Sequence, residues 1–236
     1  MVIRSFITDR KVLLVLLLYI LVLLLLDSGG GDIWLANKLY ILQGQHWALQ
    51  HHWLTENVLH RGARKLNYIF CAAVLLLTLY HLINRVPGDA KTVRSYIALS
   101  LSLIGSFALV AYLKAITNIA CPWDLALFGG TEPYIHLFQH RPDYLSYQQC
   151  FPAGHASVGY AWVALFFFFQ QQIPRWRYLG LAIGIVFGLI LGIAQQLRGA
   201  HFLSHDVTTF ILCLLCAKLC FKVVCSTPNA VIGKQH

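Results

Sequence analysis

The sequence predicts an all-α integral membrane protein, a six-helix bundle forming a single domain over residues 1–236. Three observations predict it. Of the 236 residues 58% are hydrophobic and only 11% charged, too little charge to cover a soluble domain of this size. The apolar residues gather in blocks that approach the roughly 20 residues a bilayer crossing requires. The short loops between blocks carry Lys and Arg, the mark of cytoplasmic loops. The net charge of +9 is therefore read as topology. No basic face of a soluble domain is visible, so no nucleic-acid partner is expected.

Each element has its own justification. A basic lead with Arg4, Arg10 and Lys11 precedes the first span, 12–26, which is almost pure Leu and Val and ends at Asp27-Ser28-Gly29-Gly30-Gly31. An uncleaved anchor suits this Leu-rich tract, and a cleaved signal peptide is the rival reading. Residues 32–64 carry Trp34, Trp47, Trp53, His46, His51, His52 and His60 at irregular spacing. They read as an interfacial helical segment with aromatics at headgroup depth, or as a metal site. Further spans are expected at 66–83, 96–113, 158–172, 178–194 and 207–221. Pro87-Gly88-Asp89 with Lys91 and Arg94, and Pro174-Arg175-Trp176-Arg177, form short basic turns between them.

Six spans place both termini in the cytoplasm, and the basic turns agree. The loop 115–157 and the turn 198–206 then lie outside. Arg61, Arg64 and Lys65 cut against the rule as an outer basic cluster. Cys213, Cys216 and Cys220 fall at helical spacing inside the sixth span and read as packing residues.

Three polar patches stand at outer span ends: Lys114 followed by Cys121-Pro122, then Pro152-Ala153-Gly154-His155, then Arg198-Gly199-Ala200-His201 through Ser204-His205-Asp206. Ionisable residues at membrane depth are costly and suggest function. Singly, Lys114 and Arg198 could snorkel, and His201 and His205 could be a hydrogen-bonded pair or half a metal site. Together, cations beside a helix start that holds a histidine suit a phosphate-sized anion.

These patches resemble the type 2 phosphatidic acid phosphatase superfamily of membrane phosphatases. Its pattern is Lys, six residues, Arg-Pro; then Pro-Ser-Gly-His; then Ser-Arg, five residues, His, three residues, Asp. The resemblance covers about 96–221, the expected phosphatase-like core. Cys121 stands where the family has arginine, and Ala153 where it has serine. Gln195 stands six before His201, while Arg198 lies three before it. His205 falls four after His201, and Asp206 one later.

The resemblance implies a lipid phosphate phosphatase whose active site lies at the outer membrane surface. His201 would be the nucleophile, becoming a phosphohistidine, with Asp206 orienting its ring and His205 the fallback. His155 would protonate the leaving group. Lys114, Arg198, the backbone near Gly154 and His205 would bind the substrate. No cofactor or metal is required. The substrate would be a phosphate ester or pyrophosphate of a lipid. A lipid phosphotransferase, or a non-catalytic lipid-binding or transport relative, are the alternatives. Cys121 and Cys150, one beside each of the first two motifs in an outer loop, could pair as a disulfide; drift of the arginine is the other account. A bacterial inner membrane, with the site facing the periplasm, is the expected location.

Overall fold

A computed structural model describes residues 2–84 and 89–226. Part of the first basic turn (85–88) and the basic tail beyond residue 226 lie outside the described residues. The architecture is all-α. Among the described residues four helical segments are long and apolar enough to cross a membrane, Leu54–Ile83, Ala90–Ile116, Pro174–Leu197 and Leu203–Cys225, and the bent pair Arg10–Leu26 and Gly31–Leu42 makes a fifth if it is one span.

After a short α1 (Val2–Ile7), α2 (Arg10–Leu26) is bent by 54° from α3 (Gly31–Leu42). Gly30, at φ +78°, makes the corner, a conformation that costs glycine little. The expected second span is longer than its sequence pattern indicates: a π-helical turn, Leu54–Gly62, runs directly into α4 (Ala63–Ile83). The interfacial segment is thus split between α3 and the approach to α4.

α5 (Ala90–Ile116) has 27 residues, about 40 Å at 1.5 Å per residue. That exceeds the roughly 30 Å hydrocarbon core, so its C-terminal turn can stand at the membrane rim. The fourth span is a broken helix, α6 (Ser157–Tyr160) and α7 (Ala164–Gln172) joined by a 3₁₀ turn, Ala161–Val163. α8 (Arg177–Leu197) and α9 (Leu203–Cys225) complete the bundle.

The core is built where α5 and α9 run together against the broken helix, with Leu99, Leu103, Tyr160, Val163, Cys213, Ala217 and Phe221 buried. Glycines bring α8 unusually near: a Cβ at Gly188 would lie 2.0 Å from the Tyr160 ring, and one at Gly159 2.3 Å from the Gly188 nitrogen. Small residues allow such approach between membrane helices, where packing replaces the hydrophobic effect. Some polar side chains buried at helix contacts pair with one another. Trp162 Nε1 donates to Asn67 Oδ1 at 2.8 Å, and Thr78 and Ser100 hydroxyls lie 2.8 Å apart. Asp32, from α3, accepts from the Ser204 backbone N–H at 3.0 Å and so caps α9 from another helix.

Candidate active site

The ends of α5, α8 and α9 are tied together by the chain between them. The Cys150 N–H donates to Ile119 O at 3.0 Å, and the Trp123 N–H to Gly199 O at 2.9 Å. The Thr117 hydroxyl donates to Phe151 O. Cys121 and Cys150 are joined as a disulfide, Cα atoms 5.2 Å apart and 29 residues apart in sequence. On the other side the Ala153 N–H donates to His205 O at 3.3 Å, and the Thr209 hydroxyl contacts Ala153 O at 3.1 Å. The first two motifs are thereby strapped to the third.

The straps enclose a cavity of about 490 Å³ lined by Lys114, Gly154, His155, Arg198 and His201 from the three motifs. Glu56, His60, Arg64, Trp123, Gln149 and Gln195 complete its wall. Lys114 lies over Gly154, its ammonium 3.5 Å from where a Cβ would stand. Arg198 is buried. Its Nε donates to Gln50 O at 2.8 Å, Nη1 to Gln195 Oε1 at 3.2 Å, and Nη2 to Glu56.

His155 presents Nε2 to Leu59 O at 3.0 Å. A carbonyl only accepts, so Nε2 carries the proton and Nδ1 is the free nitrogen. His201 has Nδ1 3.5 Å from Cys150 Sγ. A disulfide sulfur has no proton to donate, so Cys150 Sγ packs beside His201 Nδ1 without giving it one. The same sulfur touches Ala200 O at 2.9 Å. Burial, reinforced by His205, Lys114 and His155, holds His201 well below the ordinary histidine pKa. Burial, together with Arg198, Arg64 and Lys114, lowers His155 against the opposing bond to Leu59.

The third motif differs from expectation. Asp206 Oδ2 accepts from Gln196, and Oδ1 has no hydrogen-bond partner, so the carboxylate does not orient His201. The reason is the extra residue. α9 begins at Leu203, between the two side chains, and its first turn carries Asp206 round to the α8 face, against Gly192. His205 does not replace it. Its ring centroid is 5.7 Å from that of His201, but its Nδ1 is buried without a partner. Neither His205 nor Asp206 lines the cavity. The sequence reading of Pro152-Ala153-Gly154-His155 as the mouth of a helix is also modified, because α6 begins only at Ser157 and has 4 residues.

Cys150, His201 and His205 have potential ligand atoms within 4.8 Å of one another. With Cys150 in a disulfide no thiolate is available, and two imidazoles alone make a poor metal site. His46, His51 and His52 form no such group among the described residues.

A family model described as the PAP2 superfamily matches residues 95–226. The chain belongs to the PAP2 superfamily. Its PAP2 portion begins near the start of α5 and ends just past α9, so it contains all three motifs. A solved structure, the transmembrane PAP2-type phosphatidylglycerolphosphate phosphatase from Bacillus subtilis, is similar over 94% of this chain and 99% of that one, with a TM-score of 0.60 and 16% identity. At that identity the likeness speaks for the fold. No curated protein sequence matches significantly.

Most of the charged or ring-bearing wall residues outside the three motifs lie before the PAP2 match. Glu56, His60 and Arg64 are four apart and belong to the start of the second span. Such a polar stripe on the approach to an apolar helix faces protein or water rather than lipid, and that was the available signal. The irregular Trp and His around it obscured the stripe.

Proposed function

We propose that this PAP2 protein is a membrane phosphatase that hydrolyses a phosphate ester or pyrophosphate of a lipid through a phosphohistidine intermediate. One observation carries the reading: Lys114, His155, Arg198 and His201, from three separate segments, line one cavity at the helix ends.

The tautomer of His155 supports an order of events. His201 Nε2 attacks phosphorus in line, forming the N–P bond as the P–O bond to the lipid breaks. His155 delivers the proton to the departing oxygen from Nδ1, its Nε2–H being held by Leu59. Neutral His155 then takes a proton from water, whose oxygen displaces His201 and releases inorganic phosphate. Lys114, Arg198 and backbone N–H groups near Gly154 hold the phosphoryl oxygens as charge builds. The Cys150 sulfur packs beside His201 Nδ1, where the sequence reading had put Asp206. The site faces the outer side of the membrane, a periplasm if the host is a bacterium, with the lipid entering from that leaflet.

The test is phosphate release in detergent from a panel of lipid phosphates and pyrophosphates by purified protein. His201→Ala is expected to abolish release, and quenching in alkaline denaturant, where an N–P bond survives, should trap phosphate on the wild-type protein alone. Full activity of His201→Ala would overturn the assignment.

A further inference from the structure

The cavity wall outside the PAP2 match bears directly on His155. From the π-helical turn, His60 lays its ring on that of His155, centroids 4.2 Å apart and planes 24° from parallel. Its orientation is set by a chain of amide and guanidinium contacts. Arg198 Nη1 donates to Gln195 Oε1 at 3.2 Å, which turns the Gln195 NH₂ toward His60 Nδ1, 3.2 Å away. Gln195 Nε2 only donates, so His60 Nδ1 accepts and a neutral His60 carries its proton on Nε2. Leu59, which holds His155 Nε2 at 3.0 Å, is the residue next to His60.

His155 is therefore gripped by two adjacent residues of one turn, one at its edge and one on its face. The charges around it are Lys114, Arg64 and Arg198, with Glu56 paired to Arg198 and the imidazoles of His60 and His201. A second imidazolium stacked at that distance would repel a protonated His155, whereas a neutral ring offers its π face to the cation.

We propose that His60 is a positioning residue for His155, a neutral ring oriented by Gln195 that holds the proton donor in place and shelters its cationic form. The inference rests on the reading of His155 as leaving-group acid. It also gives Gln195 a role at the position where the family pattern has arginine: it couples Arg198 to His60 instead of clamping phosphate.

Leaving-group dependence tests it in the full-length protein. A long-chain alkyl phosphate needs protonation of its alkoxide, whereas p-nitrophenyl phosphate leaves with little help. Against a general-acid contribution of about 10²–10⁴, His60→Ala should lower kcat on the alkyl phosphate about 10-fold or more, with KM within about 2-fold. The p-nitrophenyl rate should change by less than about 3-fold, and the alkaline limb of kcat/KM should move to lower pH. His60→Asn, which keeps an acceptor for Gln195 but no ring, should show the same loss even if the alanine variant folds poorly. His60→Phe, which restores the stack, should return within about 3-fold of wild type. Unchanged alkyl phosphate turnover in His60→Ala or His60→Asn, or equal losses on both substrates, overturns the inference while leaving the phosphatase reading standing. Absence of release by the wild type from both of these substrates and from the lipid panel overturns both.

Discussion

Burial holds the His155 and His201 imidazoles below the ordinary histidine pKa of about 6.5, and activity and stability respond to this in opposite senses. A leaving-group acid works in its protonated form, so a depressed His155 makes kcat/KM greatest on the acid side of neutrality, falling as pH rises past its pKa. His155→Ala should flatten that alkaline limb in a pH–rate profile. Stability runs the other way. Below about pH 6.5 the unfolded chain takes up protons that the folded histidines refuse, so stability falls as pH falls until the folded pKa values are passed. Thermal melts in detergent between pH 8 and 5 should show a declining midpoint, and the decline should shrink in His201→Phe if that variant packs. The Cys150 sulfur adds a redox test at the same scale. The bond closes a loop of 29 residues, for which chain entropy suggests about 3–4 kcal/mol. Cys121→Ser with Cys150→Ser should lower the melting midpoint and reduce kcat, because the strap that holds the first two motifs beside His201 is cut. A midpoint unmoved by reductant would contradict this.

Among the elements, the broken helix α6–α7 and the glycine face of α8 decide where His155 stands. The Gly188–Tyr160 approach leaves no room for a methyl group. Gly188→Ala should destabilise by at least the 1–3 kcal/mol typical of overpacking, with a larger loss of activity than a lipid-facing change such as Val186→Ala. Hydrogen exchange at residues 155–164 would report the loosening. Asp32 does for α9 what the straps do for α6. Replacing it by alanine leaves the buried Ser204 N–H unpaired, a cost of about 1–3 kcal/mol. The helix start that carries His205, just after His201, should fray before the rest of α9.

At the scale of the whole molecule, the N-terminal third closes a site whose motifs lie in the last two-thirds. Trp47 covers Gly199 so closely that a Cβ there would lie 2.5 Å from its ring, and Glu56 pairs with buried Arg198. Glu56→Ala leaves that guanidinium buried and uncompensated. A loss of about 3–5 kcal/mol is expected, read as a lower melting midpoint that Arg198→Met partly relieves in the double variant. The membrane class, the spans expected at 66–83, 96–113, 178–194 and 207–221, and the choice of Lys114, His155 and His201, which line one cavity, were legible in the sequence. Apolar block length and residue chemistry determine them locally, whatever the chain does elsewhere. Where Asp206 points was not legible, because one inserted residue and the onset of α9 rotate a side chain by an amount that spacing alone does not reveal. Nor was the partnership of His60 with His155, 95 positions apart in sequence. Stacking of a ring from the π-helical turn before α4 on one from the loop before α6 depends on how those segments pack against α8, and only the tertiary structure decides that.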